Sequence, residues 1–278
     1  MRSACMTTTN SELLGLAFMA FFIITFSSTA RYYVKFLCFI VLSMVCAVGP
    51  IPFMLLRPRD YRNALLPAYL CTKFGAMLGV SFEVRGKENI HRQHGGVVLM
   101  NHQSALDLIV LAYLWPIIGR ATVVAKREVL YMIPFGTASW LWGTLFIDRN
   151  NRKSAKNIIN KESKAINEKQ AKILFFPEGT RGGGDNLLPF KKGSFHVAIE
   201  SQGFIQPVVI SKYHFLNSKA KIFNRGKNII KILPEISCAG MTKDDMQPLM
   251  DRVYQLMQTE YEALSDESLA INNLSKSL

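Results

Sequence analysis

Val97-Val98-Leu99-Met100-Asn101-His102-Gln103-Ser104-Ala105-Leu106-Asp107 is the stretch on which the fold is decided. Its first four residues form an unbroken apolar run, the pattern of a buried strand. From Ala105 to Leu114 the pattern is helical, and the predicted helix stops before Pro116. His102 is therefore expected where a strand ends and a helix begins, at the edge of an α/β sheet where ligands bind. Five residues of continuous helix would set His102 and Asp107 about 140° apart, too far round to touch. They can hydrogen-bond only if His102 lies in the turn and Asp107 in the first helical turn. Ser104 favours that geometry as an N-cap, with Asp107 three residues on. A carboxylate on one ring nitrogen fixes the tautomer and leaves the other nitrogen a base. The same residues also fit a plain capping box beside a loop histidine, and the turn alone does not separate the two.

The rest of the chain sets the context. Its 278 residues allow one or two domains. A formal net charge of +13 and a pI near 9.6 favour anionic partners: nucleic acid, acidic lipid headgroups or phosphorylated small molecules. An apolar content of 49% and a positive mean hydropathy exclude a disordered basic arm. The cysteines, Cys5, Cys38, Cys46, Cys71 and Cys238, are odd in number and without CxxC spacing. They indicate neither a disulfide framework nor a zinc site, and no metal is expected.

Leu13–Thr29 and Phe36–Leu56 are apolar stretches of membrane-spanning length, separated by Arg31-Tyr32-Tyr33-Val34-Lys35. They predict an N-terminal membrane helical hairpin. The first stretch also fits a signal peptide, with Ser28-Thr29-Ala30 as its cleavage site. Gly49-Pro50-Ile51-Pro52 leaves the second open to a re-entrant form. Arg57, Arg59, Arg62 and Lys73 outnumber Arg31 and Lys35 at the hairpin tip, placing the following domain in the cytosol. A glycosylation sequon at Asn273-Leu274-Ser275 checks this orientation. The expected division is a hairpin with its flanks over 1–62, a catalytic domain over 63–264 and a flexible polar tail over 265–278.

From about Ser81 short strands and helices alternate, which predicts an α/β fold with a mostly parallel sheet flanked by helices. Strands are expected at Phe82–Val84, Val97–Met100, Ala121–Ala125, Leu145–Ile147, Ile173–Phe176, Pro207–Ile210 and Ile229–Leu233. Asn151–Lys172 reads as a lysine-rich crossover helix, solvated or leaning on anionic lipid. Gly193–Glu200 and Met241–Leu264 are also helical in pattern, and Val129–Trp142 is an apolar segment rich in aromatic residues.

A second turn, Phe176-Pro177-Glu178-Gly179-Thr180-Arg181, follows its strand as the histidine turn does. His102, Lys126, Arg149 and Arg181 all follow predicted strands. In a parallel sheet they could converge on one edge and grip a phosphate. Gly179 and Gly182-Gly183-Gly184 would let backbone approach a ligand closely. There is no GxSxG elbow, P-loop or GxGxxG, which leaves His102 to activate a hydroxyl supplied by a substrate.

Asn101–Asp107 matches the NHxxxxD motif of the animal-type 1-acylglycerol-3-phosphate acyltransferases, membrane enzymes with the glycerol-3-phosphate acyltransferase-like fold. Gly143-Thr144-Leu145-Phe146-Ile147-Asp148-Arg149 resembles that family's second block, Phe176–Arg181 its third and Gln206-Pro207-Val208-Val209-Ile210 its fourth. Ala125-Lys126-Arg127-Glu128 and Leu188-Pro189-Phe190-Lys191-Lys192-Gly193 match as well, so the resemblance runs in order from about Val84 to Met257. It implies transfer of an acyl group from acyl-CoA, a cosubstrate rather than a cofactor, to the sn-2 hydroxyl of lysophosphatidic acid. It further implies His102 as general base, Asp107 as its orienter, and Arg181 and Lys126 on the substrate phosphate. Arg149 would be a further anion contact, Glu178 and Gly179 would shape the glycerol pocket, and Thr180 belongs to the same substrate-binding turn. The implied setting is the endoplasmic reticulum membrane. Gly182-Gly183-Gly184 departs from the family, which has an asparagine after the third block. Another acceptor, glycerol-3-phosphate or a different lysophospholipid, remains open, as does a catalytically inert basic membrane-binding protein. A nucleic-acid partner is not expected, given the apolar N-terminus and the lack of a recognition motif.

Overall fold

The computed structural model describes residues 12–15, 19, 27–90, 94–147, 163–164 and 166–277. The first apolar stretch, most of the lysine-rich crossover and Arg149 fall largely or wholly outside them. Helix α1, Ser28–Val48, starts from Ser27, whose Oγ accepts the Ala30 N–H at 3.2 Å. The predicted hairpin tip, Arg31–Lys35, is therefore helical: a capping serine lies just upstream and nothing in the segment breaks a helix.

One stripe of α1 (Tyr32, Phe39, Cys46) is buried against the domain, while Leu37, Ile40, Val41 and Val45 are exposed. The helix touches the body near both ends. Phe36 packs on Phe223 with ring centroids 5.2 Å apart, and Cys46 and Ala47 approach Ser139 and Trp142 around a shared cavity. With its continuation to Met54, it is long and apolar enough to cross a membrane.

Helix α2 (Leu65–Met77) leads to strand β1 (Val80–Arg85), then β2 (Gly96–Met100), helix α3 (Asp107–Ile118) and β3 (Ala121–Lys126). The aromatic segment that follows is one helical turn plus helix α4 (Phe135–Leu141), ahead of β4 (Leu145–Ile147) and β5 (Lys172–Phe175). Helix α5 (Gly193–Ser201) precedes β6 (Phe204–Ile210), and a small hairpin of β7 (Leu216–Asn217) and β8 (Ile222–Phe223) precedes β9 (Gly226–Ile232). Strand β10 (Ile236–Ser237) and helix α6 (Met246–Ser277) complete the described chain.

The main sheet runs β1-β9-β6-β2-β5-β3-β4, with β10 beside β6. From β6 to β4 every pairing is parallel, while β9 is antiparallel to β6 and carries β1 with it. The sheet is therefore mixed and mostly parallel. Beyond β6 the hairpin turns the chain back, and the reversal follows. The carboxyl ends of β2, β3, β4, β5 and β6 share one edge. In β2, Val98 and Met100 face a core shared with α2 and α3, and Val97 and Leu99 a core shared with α5 and α6. This two-sided burial makes the strand apolar throughout.

Two predicted boundaries move. Helix α3 begins at Asp107 and runs through Pro116 to Ile118. Proline removes only the bond to Ala112 in the last turn, and the buried Leu114, Trp115 and Ile118 hold that turn in place. The expected loose tail is instead the second half of α6. Its buried stripe continues from Leu249, Val253, Met257, Tyr261 and Leu264 into Ser265, Ser268 and Asn272. Ser265 Oγ accepts the Lys212 N–H at 2.9 Å. Asn272 meets both backbone groups of Lys227 at 2.9 Å, and Glu267 takes Arg85 with both oxygens at 2.7 and 2.9 Å.

Candidate active site

His102 lies two residues beyond β2, in the turn that starts α3. Its Nδ1 is 2.5 Å from Asp107 Oδ2. The same oxygen accepts the N–H of Gln103 at 2.7 Å and of Ser104 at 3.1 Å. Asp107, only 2% exposed, thus caps the turn and holds the imidazole at once, so the capping and dyad readings are both true of one carboxylate. Ser104 itself caps one residue earlier than the box requires, Oγ accepting from Leu106 N at 3.3 Å. The Phe176 ring stacks on His102 at 4.1 Å between centroids, 24° from parallel. With Nδ1 engaged and the side chain 20% exposed, Nε2 is the nitrogen left for a substrate.

The EGTR turn joins the histidine turn directly. Gly182 N donates to His102 O at 2.7 Å. Glu178, 3% exposed, accepts His102 N with Oε1 at 2.7 Å and Leu188 N with Oε2 at 2.9 Å. Both carboxylate oxygens are spent on backbone, so Glu178 staples the two turns from within and does not face a glycerol pocket. Burial pushes its carboxyl above the usual range, against the pull of those two N–H groups.

Gly179 has φ +67°, and a side chain there would sit 2.8 Å from Lys191 Nζ. At Gly182 a Cβ would come within 2.9 Å of Glu178 Oε2. Thr180 and Arg181 are exposed on the rim of this turn. Lys126 ends β3, two strands from β2 and therefore about 10 Å across the same sheet edge. Arg149 falls beyond β4, outside the described residues.

The sequence pattern gives three supporting residues no role, although Asn101 and Gln103 lie within the first motif. Asn101 uses its amide to hold both backbone groups of Ile210, at 2.8 and 2.9 Å, which locks the ends of β2 and β6 together. Gln103 reaches Ile210 O at 3.1 Å, Ser211 O at 3.0 Å and the Tyr213 N–H at 3.2 Å. Tyr213 donates its hydroxyl to Asp107 Oδ1 at 2.6 Å. No local pattern links it to a carboxylate 106 positions earlier.

An apolar cavity of about 180 Å³ lies between α1, α2, α3 and the aromatic segment, lined among others by Cys46, Ala68, Leu108, Ala112, Trp115 and Trp142. Leu108, in the first turn of α3, is part of the cavity wall. Trp140, by contrast, is partly exposed and lies beneath the guanidinium of Arg59 at 5.6 Å.

The candidate active site is thus a His102–Asp107 pair joined to the EGTR turn, with Lys126 ending a strand at the same sheet edge and an apolar cavity walled in part by α3. The Acyltransferase family model matches residues 81–211, which hold the dyad and the EGTR turn. Over 242 residues, 87% of this chain and 85% of the relative, the sequence is 33% identical to 1-acyl-sn-glycerol-3-phosphate acyltransferase alpha of Homo sapiens. It is 32% identical to the 1-acyl-sn-glycerol-3-phosphate acyltransferase of Haemophilus influenzae, across 86% of this chain and 97% of that one. The fold resembles the crystal structure of the 1-acyl-sn-glycerophosphate (LPA) acyltransferase PlsC from Thermotoga maritima. The TM-score is 0.63 at 23% identity, covering 84% of this chain and 97% of that one. The chain belongs to the 1-acyl-sn-glycerol-3-phosphate acyltransferase family, and it is an acyltransferase.

Proposed function

We propose that this protein transfers an acyl group from acyl-CoA to the sn-2 hydroxyl of lysophosphatidic acid, giving phosphatidic acid and free CoA. The observation that carries the proposal is the 2.5 Å contact between His102 and Asp107, stapled to the EGTR turn by Glu178 and Gly182. A catalytically inert membrane-binding protein has no need of that contact.

In the proposed reaction the substrate phosphate rests against Arg181, with Lys126 as a second cation across the edge and Arg149 as a further anion contact. His102 Nε2 takes the proton from the acceptor hydroxyl as its oxygen attacks the thioester carbonyl. Asp107 holds the imidazolium that forms. Collapse breaks the carbon–sulfur bond, and the departing thiolate of CoA takes the proton back from His102. The thioester is already activated, so no protein nucleophile or added cofactor is required. We assign the apolar cavity walled by α3 to the acyl tail, or to the part of it nearest the thioester. The exposed apolar face of α1 supports contact with a bilayer, from which both lipid substrates would arrive.

The same proposal places the enzyme in the endoplasmic reticulum membrane with its catalytic domain in the cytosol, on the strength of Arg57, Arg59, Arg62 and Lys73. Sugar attached to Asn273 would reverse that orientation. The test of function is acyl transfer from labelled acyl-CoA to lysophosphatidic acid, glycerol-3-phosphate and lysophosphatidylcholine, compared side by side with purified protein. Preference for lysophosphatidic acid supports the proposal. Transfer to another acceptor in its place, or to none, overturns it.

A further inference from the structure

We propose that Tyr213 is a positioning residue of the catalytic dyad, its hydroxyl clamping Asp107 so that the opposite oxygen stays aimed at His102. This rests on the reading of His102 as the base and adds a residue that neither the motifs nor the family blocks assign.

The geometry is a carboxylate held at both ends. Oδ2 takes His102 Nδ1 at 2.5 Å, Gln103 N at 2.7 Å and Ser104 N at 3.1 Å. Oδ1 takes the Tyr213 hydroxyl at 2.6 Å. At 2% exposure the carboxylate is shielded from bulk solvent. Without the hydroxyl, Oδ1 would be left facing protein, and rotation about the Cβ–Cγ bond would no longer be opposed at that end. Burial, and then the neighbouring Asp107, push the Tyr213 hydroxyl well above its usual range, so it remains a donor at every working pH.

The backbone around Tyr213 is built to hold it there. Asn101 fastens Ile210 to the end of β2. Gln103 holds Ile210, Ser211 and Tyr213. Asn228 Nδ2 donates to Ser211 O at 2.8 Å and to Lys212 O at 2.9 Å from the other side. Phe82 and Phe215 pack against the tyrosine ring at centroid distances of 5.9 and 5.4 Å. The strand of the fourth sequence block thereby acquires a purpose: it delivers Tyr213 to the dyad from behind. Two residues of the first block, Asn101 and Gln103, fix where it arrives.

A tyrosine that merely finds the nearest acceptor in a core would matter for stability alone. Removing a positioning hydroxyl does more. It changes how Asp107 is held against His102, so the acid limb of kcat/KM shifts together with kcat. Glu178 on the β5 turn and Tyr261 on α6 also act electrostatically on Asp107 or are acted on by it. Tyr213→Phe leaves both in place.

The experiment compares wild type, Tyr213→Phe, His102→Ala and the double variant in detergent, recording kcat, both KM values, the pH profile and thermal unfolding. Expected for Tyr213→Phe are a kcat lowered on the order of tenfold, KM values within about twofold for both substrates and a displaced acid limb. The double variant should be no slower than His102→Ala, because Tyr213 acts only through that imidazole. Wild-type kcat and an unshifted limb in a folded Tyr213→Phe protein overturn this proposal while leaving His102 as the base. Full activity in His102→Ala overturns the proposed function itself. Should Tyr213→Phe unfold, Gln103→Leu, which loosens the backbone of Tyr213, carries the same expected shift of the acid limb, and an unshifted limb there likewise overturns the proposal.

Discussion

Replacing Glu178 by glutamine tests whether this residue is a staple inside the site. The carboxylate accepts two backbone N–H groups, from His102 at 2.7 Å and Leu188 at 2.9 Å. A glutamine of the same shape offers one acceptor and turns an NH2 group toward the other donor. A buried donor without an acceptor costs about 1–3 kcal/mol. For a chain of this size that lowers Tm by roughly 2–4 °C per kcal/mol. The loss depends on pH, and its sign follows from the raised carboxyl value. A group with a raised folded-state pKa adds stability below its unfolded value, about 4.3 for glutamate. That stability is lost as pH rises through the folded value. Wild type should therefore exceed Glu178→Gln by most at the acid end and by less near neutrality. Thermal unfolding followed by tryptophan fluorescence between pH 4 and 8 measures the gap. No gap at any pH refutes the staple, whereas a gap that widens with pH would mean that the two N–H donors outweigh burial at this carboxyl.

Two further outcomes follow from the packing. A chain ending at Leu264 loses the Ser265, Glu267 and Asn272 contacts to Lys212, Arg85 and Lys227, and should unfold at markedly lower temperature; an equally stable truncated enzyme would mean that this half of α6 contributes nothing. Ala112→Phe places a ring in the apolar cavity and should shift acyl transfer toward shorter chains by about tenfold or more in relative kcat/KM, read from an acyl-chain-length series; an unchanged profile would remove the cavity from the acyl path.

The parallel part of the sheet was legible because its strands are buried on both faces and read as apolar runs bounded by turns. Val97–Met100 is the clearest case, and it fixed the position of His102. The antiparallel return of β9 was not legible, since its residues carry no mark of direction and the hairpin that reverses the chain is only two residues long on each side. The end of α6 was misread because Ser265, Ser268 and Asn272 are buried to bond backbone, whereas periodicity registers only apolar burial. The dyad was visible through its spacing and capping chemistry. Glu178 was visible as part of a motif but not in its role, because the direction a carboxylate faces depends on donors brought from β2 and from Leu188. Tyr213 was invisible, since its partner is a tertiary neighbour alone.

The most direct test is the rate of acyl transfer by purified His102→Ala, measured at saturating acyl-CoA and lysophosphatidic acid beside wild type, with matched unfolding curves. Loss of a positioned base predicts a fall of at least about 10²-fold with the fold intact. Turnover near the wild-type rate in that variant would contradict general-base catalysis at this sheet edge.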